Sequence, residues 1–311
     1  MRLSSSLLSL VFPVLAFAQV DAPCWIQGAA SPGNGVAALL CDHEKILISD
    51  GNTANWQPVQ LPAAGKLRAI EFNGAHGFIT GDGGLVLETK DGGKSWRPMD
   101  VGTKETLTSL HFIGELGWMA GYGGTILHSR DGGHTWKPQQ SGASVSLEDI
   151  FFTDAEYGWA VGWGGAMIRT TDGGKTWTQM RAPAALWSFN SVFFKDRESG
   201  WATGMFGLIL HTKDGGATWQ QQPSPVNASL RSVFFDQSGR GWMTAENDIL
   251  SSTDGGQTWT SAWHAKLAFL HTLLPMGDSM LAAGPFNVLS FRNGKWTELQ
   301  VFPPLPSALT S

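Results

Sequence analysis

The sequence predicts an all-β protein, a seven-bladed β-propeller of four-stranded antiparallel blades. Three observations predict it. A turn hexapeptide recurs as Asp91 to Trp96, Asp131 to Trp136, Asp172 to Trp177, Asp214 to Trp219 and Asp254 to Trp259, each opening Asp-Gly-Gly and ending in tryptophan. Degenerate copies flank these five, from Asp50 to Trp56 and from Arg292 to Trp296, so marker tryptophans stand at 56, 96, 136, 177, 219, 259 and 296. Atypical terminal units belong to a repeat array, and a spacing of about forty residues is that of propeller blades. Each unit also carries four short apolar runs bounded by glycine turns, the pattern of a strand meander. A β-solenoid, the competing architecture, would show shorter coils without the four-strand punctuation.

In chain order, residues 1–18 read as a signal peptide. Arg2 precedes an apolar run from Leu3 to Phe17, and Ala16-Phe17-Ala18 has the small-x-small form of a cleavage site. The run is too short for the roughly 20 residues of a bilayer span, and Pro13 interrupts it. Asp21-Ala22-Pro23 before Cys24 is not a lipid-attachment box. No later segment is apolar enough to span a membrane, so residues 19–311 are expected to form one soluble, exported, monomeric domain. With 42% hydrophobic and 15% charged residues the chain can bury enough apolar surface to fold. Its 21 basic and 26 acidic residues give a formal charge of -5, which argues against nucleic acid as a partner. Cys24 and Cys41 are placed symmetrically about the turn Ser31-Pro32-Gly33-Asn34, so a hairpin there sets them opposite each other, and an exported protein is expected to bridge them.

Within a unit the first strand is a run such as Leu230 to Phe235, the second opens Gly-Trp as in Gly158-Trp159, and the third resembles Thr125 to His128. Trp118, Trp159, Trp201 and Trp242 at the second-strand openings are architectural, which leaves Trp25, Trp163, Trp187 and Trp263 for other roles. In the hexapeptide, aspartate is expected to accept hydrogen bonds from N–H groups two or three residues ahead while the glycines take positive φ. Thr89, Ser129, Thr170, Thr212 and Ser252, two residues earlier, can join that network. The closing tryptophan buries on the order of 200 Å² against the blade. Because the motif repeats around a rim while a propeller has one axis, Asp91, Trp96, Asp131, Trp136, Asp172, Trp177, Asp214, Trp219, Asp254 and Trp259 are assigned to structure.

The unit from Gly117 to Trp136 resembles the propeller family of photosystem II stability and assembly factors, and its turn resembles the Asp-box, or BNR-like repeat, of sialidases. The similarity covers the mature chain, most clearly between Gly77 and Trp259. The resemblance implies a propeller without catalysis or cofactor, in the periplasm or, in a photosynthetic organism, the thylakoid lumen. It implies a role in assembling a membrane protein complex; homologues in other bacteria occur beside envelope transporters. The alternative is a carbohydrate-binding or glycosidase-like propeller of sialidase type. That chemistry needs an arginine triad, a tyrosine nucleophile paired with glutamate, and an acid aspartate. Only Tyr122 and Tyr157 are available, Tyr122 with no glutamate nearby in sequence. No Gly-x-Ser-x-Gly elbow, phosphate loop or His-Glu-x-x-His is present, and the dispersed histidines predict no metal site.

A partner surface is read at the face where first strands begin and second strands turn into third. Aligned first strands place Arg68, Thr108, Glu148, Asn190, Arg231 and His271 in register around one channel mouth, each following an apolar residue. Exposed strand starts are ordinarily polar, so this ring is equally the expectation for solvent. The loops beside it carry Asp82, Tyr122, Trp163, Met205, Phe206 and Glu246, and Trp163, Trp187, Met205 and Phe206 fall in neighbouring blades. An apolar cluster rimmed by polar groups has the form of a protein-binding patch, and loop packing explains it as readily. Docking of a membrane-protein partner, anchored by Trp163 and Trp187, is the expectation carried forward.

Overall fold

The computed structural model describes residues 25–41, 44–51, 53, 55–62, 65–183, 188–285, 287–299 and 301. They form seven four-stranded antiparallel sheets, each of four consecutive strands. The blades span 26–60, 67–98, 107–139, 147–179, 189–222, 230–264 and 272–299. First strands neighbour one another around the axis, and that of blade 7 returns to that of blade 1. Blades 1 and 7 exchange no strand among the described residues. Ile26, Leu39 and Leu47 instead bury against Leu274, Leu281, Val288 and Val301, so hydrophobic packing closes the ring.

The repeated sequence positions explain the packing between blades. Trp118, Trp159, Trp201 and Trp242 are fully buried. The first three stack on a phenylalanine of the following blade: Trp118 on Phe152 at 3.6 Å between ring centres, Trp159 on Phe194 at 3.6 Å, and Trp201 on Phe235 at 4.1 Å. Each such phenylalanine lies across its own sheet from the glycine that opens the second strand. A Cβ on Gly158, Gly200 or Gly241 would come within 2.7 Å of that ring, which is why this position is glycine. His128 and His211 stack on Trp118 and Trp201 at 5.0 and 4.5 Å, so their shared third-strand position serves packing.

The Asp-Gly-Gly turns are staples, with a longer reach than the sequence reading gave them. In all five, an aspartate oxygen accepts from the backbone N–H four residues ahead at 2.8–3.0 Å, and Asp254 also accepts from the Gln257 N–H three ahead at 3.0 Å. The Ser or Thr two residues earlier donates to the same carboxylate and accepts from the second glycine N–H, as Thr170 does between Asp172 and Gly174. The Trp96 indole donates to the Gly93 carbonyl at 2.9 Å, which ties the ring to its turn. Cys41, buried at the end of the second strand, is disulfide-bonded; Cys24 lies outside the described residues.

Candidate functional site

The polar ring at the channel mouth is produced by a repeated β-bulge. In blades 1 to 6 the pairing of first and second strands skips one residue: Ile26 and Gly28 oppose Cys41 and Leu40, and Leu67 and Ala69 oppose Gly81 and Thr80. The skipped residues are Gln27, Arg68, Thr108, Glu148, Asn190 and Arg231. A bulge re-aims one side chain out of the alternating pattern, here toward the axis while the preceding apolar residue stays in the core. In blade 7 His271 takes the same place ahead of its first strand. These seven side chains, one per blade, line a cavity of about 180 Å³. Six of them are the residues aligned from the sequence. Gln27 is the seventh, and its apolar-polar doublet Ile26-Gln27 was the signal available.

The ring is partly tied down. Arg68 Nε donates to Asp82 at 2.7 Å and the guanidinium lies 6.0 Å from the Tyr122 ring. Burial works against its charge, but Asp82 holds its pKa above the ordinary arginine value. Asn190 donates to the Leu230 carbonyl of the next blade at 2.8 Å, and Thr108 lies 2.6 Å from the Leu147 carbonyl of the next. Burial pushes the Glu148 carboxyl up, opposed by Trp163 and Arg68, and its Oε1 is buried without a partner. Burial, with Arg231 and Lys66 nearby, lowers His271 to about 4, so its ring is neutral at pH 7.

One layer deeper, Asp149 is the second carboxylate of the cavity. Its Oδ1 accepts from Ser109 and the Ile150 N–H, and its Oδ2 from the Val192 N–H at 2.9 Å, so it joins three blades. Both oxygens are committed to the fold, and Glu148 has no second free carboxylate beside it.

The loops between second and third strands share this face. In blades 2 to 5 they are single 3-10 turns, 82–84, 122–124, 163–165 and 205–207, whose first N–H bonds the carbonyl just before the first strand, at Lys66, Thr106, Ser146 and Ser188. The middle residue has positive φ and is Gly83, Gly123 or Gly164 in three blades, but Phe206 at φ 57 in the fourth. A phenylalanine held in the left-handed region is uncommon and marks a position where the side chain is retained against backbone preference. Trp163 (56%), Met205 (39%) and Phe206 (59%) are exposed here in adjacent blades. Trp187 lies outside the described residues. Among the described residues no group of three His, Cys, Asp or Glu side chains is placed to hold a metal, and no helix is long and apolar enough to cross a membrane.

Comparison with solved structures gives the fold. YCF48 bound to D1 peptide superposes with a TM-score of 0.71 at 19% identity, over 86% of this chain and 92% of that one. A streptogramin B lyase superposes at 0.76 and 13% identity, over 91% and 96%. A GH74 enzyme of Niastella koreensis superposes at 0.71 and 14%, covering 88% of this chain but 53% of that one. At these identities the likeness is one of architecture, shared by enzymes and an assembly factor. No curated protein matches in sequence. The family model described as photosynthesis system II assembly factor YCF48 matches residues 48–144 and 134–224, more than half of the sequence, and the chain belongs to that family.

Proposed function

We propose that the protein is an exported scaffold that docks a segment of a membrane protein, a complex subunit or an envelope transporter, on the channel-mouth face. One observation carries the reading: exposed Trp163, Met205 and Phe206 stand beside a mouth where Glu148 Oε1 is buried without a partner. Apolar anchors beside unpaired polar groups are what a protein interface completes. Phe206 adds weight, because its backbone conformation favours glycine and the aromatic ring is nonetheless present. Within the family, the solved YCF48 is bound to D1 peptide, an occupant of the same chemical kind. Against a glycosidase-like role stands the commitment of both Asp149 oxygens to hydrogen bonds across three blades and of Asp82 to Arg68. The compartment is the periplasm, or the thylakoid lumen in a photosynthetic host, and the working unit is a monomer.

The experiment is crosslinking in native membranes with identification of the captured protein, in wild type and in a Trp163→Ala, Phe206→Ala variant. Recovery of one membrane protein, lost in a variant that still melts normally, is the expected result. Equal recovery from the folded variant removes the proposal, and release of sugar product from glycans by the purified protein replaces it with the glycosidase reading.

A further inference from the structure

The walls of the channel mouth divide into two unlike halves. On one side, hydrogen bonds run into the next blade: Thr108 to the Leu147 carbonyl, Ser109 to Asp149 and Asn190 to the Leu230 carbonyl, at 2.6, 2.8 and 2.8 Å. On the other side Arg231, Ser232, His271, Thr272 and Gln27, from blades 6, 7 and 1, line the same cavity. None of these side chains makes a hydrogen bond or ion pair with another described residue. Arg231 is exposed and the others are partly so, which leaves their polar atoms within reach of an incoming molecule.

A comparison within the repeat singles out Arg231. Arg68 and Arg231 hold the same bulged position, and Asp82 and Glu246 follow the equivalent strand residues Gly81 and Ala245. Arg68 pairs with Asp82 at 2.7 Å. Arg231 and Glu246 form no ion pair, and Arg231 stays on the cavity wall. Burial, with Arg231 and Lys66 nearby, keeps His271 neutral, so its ring retains one N–H donor. The open half therefore offers a guanidinium, two hydroxyls, an amide and an imidazole. With Arg68 neutralised by Asp82, Arg231 and Lys66 stand against Glu148, and Asp149 lies one layer below. That balance suits a single negative charge and opposes two. The cavity, about 180 Å³, is smaller than the roughly 300 Å³ at which pockets for drug-sized ligands begin, so its occupant is small.

We infer that the open half of the mouth binds a small monoanionic carboxylate: the Arg231 guanidinium takes its two oxygens, and the Ser232 and Thr272 hydroxyls and the Gln27 amide donate beside it. A guanidinium presents parallel N–H groups that match the two oxygens of a carboxylate, and such charge-assisted bonds are the strong ones. The carboxylate arrives free in solution or on an acidic side chain of the docked segment; only the second source rests on the docking proposed above.

The test titrates the full, 15N-labelled protein with sodium propionate at pH 7.5 and constant ionic strength, with propionamide as neutral control and inorganic phosphate as dianion. Saturable shifts of the Arg231, Ser232 and Thr272 amide signals with propionate, none with propionamide, and weaker binding of phosphate are expected. Arg231→Gln, a change at an exposed position, should weaken propionate at least about tenfold, some 1.4 kcal/mol, and Thr272→Val should weaken it less. Absence of saturable shifts in wild type, equal shifts with propionamide, tighter binding of phosphate, or undiminished binding by a folded Arg231→Gln overturns the assignment. Crosslinking in native membranes separates the two sources: partner capture lost in Arg231→Gln places the carboxylate on the docked segment, and capture retained assigns the site to a free carboxylate. Propionate binding is read without a partner, so it stands or falls separately from docking at Trp163 and Phe206.

Discussion

Replacing Asp172 by alanine removes one staple of the rim and is expected to destabilise the protein without altering what it binds. The Asp172 carboxylate accepts from the Thr170 hydroxyl at 2.8 Å, the Thr176 N–H at 2.9 Å and the Thr176 hydroxyl at 2.7 Å. Desolvation is the largest single influence and opposes its ionisation, but the Thr176 and Thr170 hydrogen bonds, with Lys175, together outweigh it and bring its pKa to about 2. That depression corresponds to at most about 2.5 kcal/mol, and solvent screening at this rim position reduces it to roughly 1–2 kcal/mol, the range expected for exposed charge-assisted hydrogen bonds. Because the folded pKa lies below the unfolded one, that stability is present above about pH 4 and is lost as pH falls through 2. Urea denaturation at pH 7 should therefore separate Asp172→Ala from wild type, and at pH 2 the two curves should approach each other. Equal stability at pH 7, a difference that persists undiminished at pH 2, or a binding defect in a variant of normal stability would refute the structural assignment of the motif.

Other perturbations test other parts of the molecule. Glu71 is pushed up to about 8 by burial, partly offset by the Phe112 N–H, which donates to it at 2.9 Å. With the folded value raised, its contribution is full below about pH 4 and is lost as pH rises through 8; Glu71→Gln should match wild type at pH 4 and be more stable at pH 8 by about 1–3 kcal/mol in urea melts. Cys24→Ser with Cys41→Ser should lower stability by about 3 kcal/mol through loss of the proposed bridge across a short loop. Intact mass under non-reducing conditions, two hydrogens below the reduced value, checks that pairing first. Gly200→Ala drives a Cβ to 2.5 Å from the Phe194 ring and should cost roughly 1–3 kcal/mol by thermal melt.

Blade number, strand count and the staple were legible because each is written several times over: a turn needing positive φ must show glycine, and a buried stack must show Trp and Phe at fixed spacing. The channel ring was legible by the same logic, since aligned copies place Arg68 and Asn190 at one position. Its cause was not. A bulge is a matter of pairing between strands, and nothing local in Leu147-Glu148-Asp149 distinguishes the residue that turns to the axis from the one that enters the sheet. The aspartate's four-residue reach escaped because generic turns close sooner, whereas the Ser or Thr before each turn holds this one open. Gln27 was missed because blade 1 lacks an intact turn from which to count.

The positions that break the repeat are the informative ones. Where neighbouring blades agree, as at the three Trp-on-Phe stacks, the residues satisfy a demand that packing imposes on each of those interfaces, and no partner need be invoked. Phe206 accepts a backbone conformation its sister loops give to glycine, and Pro275 gives up a ring that five sister strands keep. Phe206 stays exposed, whereas Phe291 at 4.6 Å and the Arg240 guanidinium at 4.2 Å cover the Trp242 ring in place of the lost stack. A local backbone rule broken at an exposed aromatic tends to mark a functional or strained site. Substitution of Phe206 should therefore alter docking at the proposed channel-mouth face and leave the packing around Trp242 intact.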